Sequence, residues 1–244
     1  MKTLIPAFVA ALLAASPVLA QISAEQQAAF DERRFLEAAD LGEAAATSAS
    51  LAMAAESLAL HGYYLAAEEE KQPLFVRAVA LAERAVAEDE TNPQAHFQHS
   101  HAMGRYAQTI GVVEALSDGY AELIRDAMNK ALALDPEMVP ALLSVGTWHA
   151  EIVAAAGSLM AGIMYDADEE QSLAAYEKAY ALAPEHNGVN LEYAIGLILL
   201  DDDDYCAQTR ELLTAAITLP ADNAYEEIVV DQAKMRLAEL DCDD

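Results

Sequence analysis

His96, His99 and His101 fall on one stretch expected to be helical. His96 and His99 are three apart and can share a helix face, whereas His101 points elsewhere. A zinc centre would need a third ligand from another element, and the chain has no His-Glu-x-x-His sequence. These histidines therefore read as core-edge or surface groups, and no metal ligand is assigned. The run Asp201-Asp202-Asp203-Asp204 lacks the alternation and the glycine of a calcium loop. It precedes a helix start, where the helix dipole favours negative charge. Glu68-Glu69-Glu70 and the tail from Asp241 to Asp244 read the same way. Catalytic Ser/His/Asp and Cys/His patterns, a phosphate loop and a dinucleotide fingerprint are all absent from the sequence. Carboxylate pairs are too numerous to single out. The expectation is a protein that is not an enzyme and needs no cofactor.

The elements around these residues begin with a leader. Lys2 is followed by an apolar stretch from Leu4 to Ala15, and Val18-Leu19-Ala20 puts small or slim residues before a cut at Gln21. This is the pattern of a secretory signal peptide over residues 1–20. The stretch is too short to span a bilayer, and Pro17 interrupts its end. The mature chain is expected to be exported, to a bacterial periplasm or beyond, as a soluble protein. Its net charge is −28 with the leader included. Such a charge repels nucleic-acid phosphates and anionic lipid headgroups, so neither is an expected partner. A cationic partner is permitted by the charge but not implied by it. The apolar stretch from Gly146 to Tyr165 contains His149 and Glu151 and reads as a packing helix, not a membrane span.

Ala, Leu and Glu dominate the mature chain, which favours helix throughout. Pro73, Pro93, Pro136, Pro140, Pro184 and Pro220 are each expected at a helix junction, because proline lacks an amide proton and clashes inside a helix. Ser23 with Gln26, Asp168 with Gln171, and Asn223 with Glu226 have capping-box spacing. Leu173, Tyr176, Tyr180 and Ala183 recur at helical intervals, as do Ile124, Ala127, Met128 and Ala131, so each helix has one stripe to bury. The expected helices cover about 23–46, 49–66, 72–88, 94–110, 119–134, 140–160, 168–182, 188–200, 205–219 and 223–240.

Four segments close helices alike: Ala82 to Pro93, Met128 to Pro136, Tyr176 to Pro184, and Leu212 to Pro220. Their small residues Ala85, Ala131, Ala179 and Ala215 are 46, 48 and 36 residues apart. The last interval approaches the tetratricopeptide period of about 34, and the first two exceed it by about a dozen. An alanine at each position lets two helices approach closely, so Ala179 is expected at a helix contact and Glu177 in water.

Tyr176, Ala179, Leu182 and Pro184 match the second helix of a tetratricopeptide repeat, and Ala141, Leu142, Val145 and Gly146 match the start of a first helix. The whole run from about residue 70 to 240 resembles the divergent repeats of the regulator-of-microtubule-dynamics family and its exported bacterial relatives. Glu90 departs from the repeat pattern where a proline is usual, and His99 where a leucine is. The resemblance implies insertions between the two helices of a repeat, here residues 105–118 and 151–167. The expected fold class is all-α, a helical-repeat solenoid of tetratricopeptide-like pairs with interhelix insertions and a C-terminal capping helix. Residues 1–20 are the signal peptide, 21–68 a degenerate helical pair, and 69–244 the repeat domain with its cap.

Such an array offers a concave groove, with His96, Ser100, Trp148, His149 and Tyr193 as candidate lining residues. Two readings follow. One is an exported scaffold or adaptor whose groove takes a protein or peptide partner. The other is a small-molecule-binding accessory of a periplasmic transport system, comparable in layout to the exported T component of TRAP transporters, with the insertions lining a channel. A deep, ligand-sized pocket favours the second reading and an open, shallow groove the first.

Cys206 and Cys242 are the only cysteines. An even count in an oxidising compartment predicts a disulfide between them. The helix from about Cys206 to Pro220 and the capping helix from about Asn223 run antiparallel, so both cysteines fall near one end. Closing that loop stabilises the fold by about 3–4 kcal/mol in the chain-entropy account. Alkylation of the unreduced, denatured protein followed by mass spectrometry is expected to show no adduct, and uptake by both cysteines would exclude the bridge.

Overall fold

The computed structural model describes residues 22–201, 204–221 and 223–241. The leader at residues 1–20 and its cut at Gln21 lie outside the described residues. Among the described residues there are thirteen helices and no strand: α1 (Ala24–Asp31), α2 (Phe35–Ala45), α3 (Ser48–Tyr64), α4 (Glu68–Glu88), α5 (Pro93–Ile110), α6 (Val112–Ser117), α7 (Tyr120–Leu134), α8 (Val139–Ala156), α9 (Ser158–Tyr165), α10 (Glu169–Leu182), α11 (Asn187–Leu200), α12 (Cys206–Thr218) and α13 (Ala224–Glu239).

Local chemistry sets most of these boundaries. Ser23, Thr47, Asn92, Asp168 and Asn223 each accept a hydrogen bond from an amide of the first turn that follows, as N-cap residues do. The return half of two of the three expected capping boxes is different. The Gln26 amide reaches the Ser50 carbonyl on α3 at 2.9 Å. That of Gln171 reaches the Asp168 carboxylate at 2.7 Å. Tertiary contact or the nearer acceptor takes the side chain. Pro93 opens α5 and Pro140 is the second residue of α8, where a missing amide proton costs nothing. Pro73 corrects the sequence reading, because it lies inside α4. That helix starts earlier, at Glu68, where three glutamates meet the positive end of the dipole and Glu70 accepts from the Ala67 amide at 3.2 Å. The bond lost at Pro73 leaves the carbonyl of exposed Glu69 to water.

Two expected helices are split. Residues 23–46 break where Arg33 adopts φ 59°, and residues 140–160 break at Gly157, φ 76°. α6 follows a similar break at Gly111, φ 88°. A left-handed residue reverses the chain direction, and glycine takes that conformation without steric cost.

Four helix pairs follow: α3 with α4, α5 with α7, α8 with α10, and α11 with α12. The first helices of the pairs touch one another in the inner layer, α3 on α5 and α8 on α11. α6 falls between the two helices of the second pair and α9 between those of the third. These inserted helices account for the two long intervals, and the short one has none. α3 also packs on α2. Ala85, Ala131 and Ala179 are fully buried as expected, but in the fourth segment it is Ala216 that has no exposure. On α10 the buried face is Ser172, Ala175, Tyr176 and Ala179. Tyr180 leaves the expected stripe and is 38% exposed.

The last helix does more than cap an end. α13 packs on α12 and α11 and also meets the start of the chain. Arg33 Nη2 lies 2.8 Å from Glu227 Oε2, and the Tyr64 and Tyr225 rings meet edge-on at 6.4 Å between centroids. The array therefore curves until its first and last elements touch.

At the third pair, the Tyr176 ring has no exposure and lodges between α8 and α11. Its hydroxyl is 2.8 Å from Thr147 Oγ1, and its ring stacks on Tyr193 at 5.1 Å. Gly146 and Gly196 make the slot: a Cβ would stand 2.8 Å from the ring at the first and 2.2 Å at the second. Gly196→Ala is therefore expected to lower stability by about 1–3 kcal/mol through overpacking. Gly104→Ala, with no atom within 4 Å of its added methyl, is expected to raise stability by about 0.5–1 kcal/mol. Urea unfolding of the two variants checks this, and equal midpoints would disprove the slot.

Candidate functional site

Three of the inner helices are almost wholly apolar, and each carries one carboxylate: Glu56 on α3, Glu151 on α8 and Glu192 on α11. A charge on such a helix is costly to bury unless something compensates it. All three face one central cavity of about 610 Å³, walled by α3, α5, α8, α11 and α13. Ligand sites typically measure about 300–1,000 Å³. α3 also contributes Leu60, Tyr63 and Tyr64, α5 contributes Gln98, His101 and Arg105, and α13 closes the far side with Tyr225 and Arg236.

Burial dominates the electrostatics. It raises the Glu56 carboxyl from 4.5 to about 7. It also raises Glu192, an effect that Arg105 and Arg236 oppose and Glu151 reinforces. Glu151 is exposed, yet the protein packed around it raises its carboxyl against the pull of Arg105 and a hydrogen bond from Gln108, whose amide lies 3.2 Å away. Removing a carboxylate from water disfavours its charged form. Burial likewise pushes the Tyr64 and Tyr225 phenols up, so both stay neutral.

Arg105 is held against the wall. Its guanidinium lies 3.8 Å from the Tyr63 ring centre, and it donates to Gln108 Oε1 at 3.2 Å and to His101 Nε2 at 3.3 Å. Burial, then Arg105, depress His101 to about 3, so this imidazole is neutral. With Nε2 accepting, the proton sits on Nδ1 and faces Gln98 Oε1 at 3.4 Å. The Gln98 amide nitrogen is left without a partner on a side chain that is 1% exposed in the cavity wall.

Of the expected groove residues, Ser100 and Trp148 belong to the wall. His96, His149 and Tyr193 do not, because each is committed to packing between helices. His96 Nε2 lies 2.9 Å from the Glu90 carbonyl, His149 Nδ1 accepts from the Asp168 amide at 3.2 Å, and Tyr193 stacks on Tyr176. His99 Nε2 lies 3.8 Å from a Glu83 carboxylate oxygen, so it and His96 address different partners. Among the described residues no three His, Cys, Asp or Glu side chains gather as a metal site. The insertions line the cavity only through Arg105, Gln108 and Glu151; α6 and α9 are not part of the wall. α8 is long and apolar enough to cross a membrane by composition, yet Ala141, Trp148 and Ile152 on it are buried in the array. Cys206 is buried at the start of α12, and Cys242 lies outside the described residues, as do Asp202 and Asp203.

Glu56, Glu151 and Glu192 escaped the sequence reading because carboxylates are abundant. The usable signal was their isolation, one in each of three otherwise uncharged apolar helices.

The family model for Regulator of microtubule dynamics protein 1-3 matches residues 23–241. No curated protein matches the chain.

Glu56 couples the cavity to pH. Its folded-state pKa lies above its unfolded value, so its contribution to stability is complete below about 4.5 and is lost as pH rises to about 7. Glu192, Tyr64, Tyr225 and Arg105 line the same cavity, and burial raises the Glu192 carboxyl in the same direction. Glu56→Gln is therefore expected to be increasingly more stable than the parent between about pH 5 and about pH 8. Urea unfolding across that range reads the gap, and a gap independent of pH would place Glu56 in water.

Proposed function

The chain belongs to the regulator-of-microtubule-dynamics family, and on that premise we propose that it is a non-catalytic interaction protein whose central cavity holds part of its partner. The observation that carries this reading is the convergence of all four inner helices and α13 on one cavity. Repeat arrays bind through the surface that their first helices build. We read the pairs as tetratricopeptide-type repeats, on the strength of Gly146 receiving Tyr176 and of the alanines at the helix contacts. We read residues 1–20 as an export signal, so the microtubule role in the family's name is not carried over to this chain. A second surface supports an interaction role. α9 turns Leu159 and Ile163 outward at 75% and 69% exposure, with Met160 and Met164 beside them, and clustered exposed apolar groups mark contact sites.

The small-molecule reading is favoured by one observation of its own, the closure of the array by α13 around a space within the ligand range. In that reading the protein is a binding accessory to a transport system.

Affinity capture with the full chain as bait separates the two. A protein partner retained by the parent and by Glu177→Ala, and lost when Ser144→Trp fills the cavity, is the expected result. A small molecule retained at one per chain in native mass spectrometry, with no protein captured, would replace the adaptor reading by the accessory one.

A further inference from the structure

We infer that the cavity is a binding site for an organic cation, a primary ammonium or guanidinium group seated between the Glu56 and Glu192 carboxylates and the rings of Tyr64 and Tyr225. The inference rests on the cavity being the binding surface proposed above, and it adds the chemistry of what enters.

Four observations lead to it. Glu56 and Glu192 make no hydrogen bond or ion pair with any described residue, although both face the cavity. A carboxylate taken partly out of water without a partner is unfavourable, and an incoming cation supplies the partner. The charges in the wall do not balance: Glu56, Glu151 and Glu192 stand against Arg105 and Arg236, one negative charge in excess when all are ionised. Arg105 is already occupied with Tyr63, His101 and Gln108.

Tyr64 and Tyr225 meet edge-on, and both rings line the same cavity as the two acids. Aromatic faces attract ammonium and guanidinium groups, more strongly where water is excluded. Gln98 supplies an independent sign of a ligand. Its buried amide nitrogen is a donor with no acceptor on a side chain of the cavity wall, and a small turn of that side chain would bring it to a carbonyl or carboxylate on the same guest. The guest thus carries a cationic end and an acceptor. A lysine or arginine residue of a peptide segment fits that description, and so does a small free amine with an acceptor group.

The test uses the full chain, isothermal titration calorimetry, and the fluorescence of Trp148, the single tryptophan, which lines the cavity. The probes are 6-aminohexanamide, a blocked peptide of alternating lysine and alanine, and the same peptide with glutamate for lysine. The lysine peptide is expected to bind and to lose about tenfold in affinity with each of Glu56→Gln and Glu192→Gln, the loss of one charge-assisted contact. The exposed-site control Glu177→Gln is expected to leave binding unchanged. Both site variants remove an unpaired charge and are expected to fold, which circular dichroism checks. Binding of 6-aminohexanamide without the peptide, with the same sensitivity to the variants, keeps the cation site and ends the adaptor reading. Peptide binding that is indifferent to the double variant, or equal for the acidic peptide, overturns the cation site; if that binding is still lost on Ser144→Trp, the cavity remains the partner surface. No response to any of the three probes overturns the inference.

Discussion

The ring of Tyr176 in the slot between Gly146 and Gly196 is the contact on which the architecture turns. It belongs to the outer helix α10, yet it reaches through to two inner helices and fixes how closely α8 and α11 approach. Interiors are close-packed, so a ring seated with no spare volume transmits geometry along the array. Around it the core is a continuous cluster with Leu191, Tyr193, Leu197, Leu213 and Val229, which carries the packing from α10 to α13. The angle set at this slot helps determine where α13 ends up, and α13 ends against the tyrosines and Arg33 at the other end of the chain.

The consequence is a deep, half-open cavity where an uncurved array would have presented a shallow groove. Closure changes the meaning of the side chains on the inner helices. On a groove, Glu56 and Glu192 would be two more solvated acids of a strongly acidic protein. Within the cavity they lose part of their water, and the Glu56 carboxyl rises to about 7. The alanine-rich helix contacts contribute as well. Ala54, Ala55, Ala78, Ala82 and Ala85 let α3 and α4 approach closely at the first pair.

The inserted helices take no part in that enclosure. α6 and α9 extend the second and third pairs away from the cavity, and α9 exposes a set of large apolar groups instead of burying them. Only Ala161 on α9 is fully covered. The insertions therefore add surface without altering the inner wall, which is why a channel-lining role expected of residues 105–118 and 151–167 is met only by their first few residues.

The sequence by itself determined the helices. Caps such as Ser23, Asp168 and Asn223, the prolines at α5 and α8, and the spacing of Ala127, Met128 and Ala131 act within a turn or two, so their effect is local and readable. It also determined the repeat, including the surplus in the two long intervals that α6 and α9 fill. Only the tertiary structure decided the breaks at Arg33 and Gly157, where a turn forms because the following helix packs back. The site was the least legible part. Ser100 and Trp148 were placed correctly, whereas His96, His149 and Tyr193 turned out to face the layer between helices. A helix face is defined only once its neighbours are known, and a one-residue rotation exchanges cavity for core. Glu56, Glu192 and Tyr225 come from distant points of the chain, and the curvature that unites them is the sum of many small inter-helix angles. No local pattern encodes that sum, so the cavity belongs to the fold and not to any segment of the sequence.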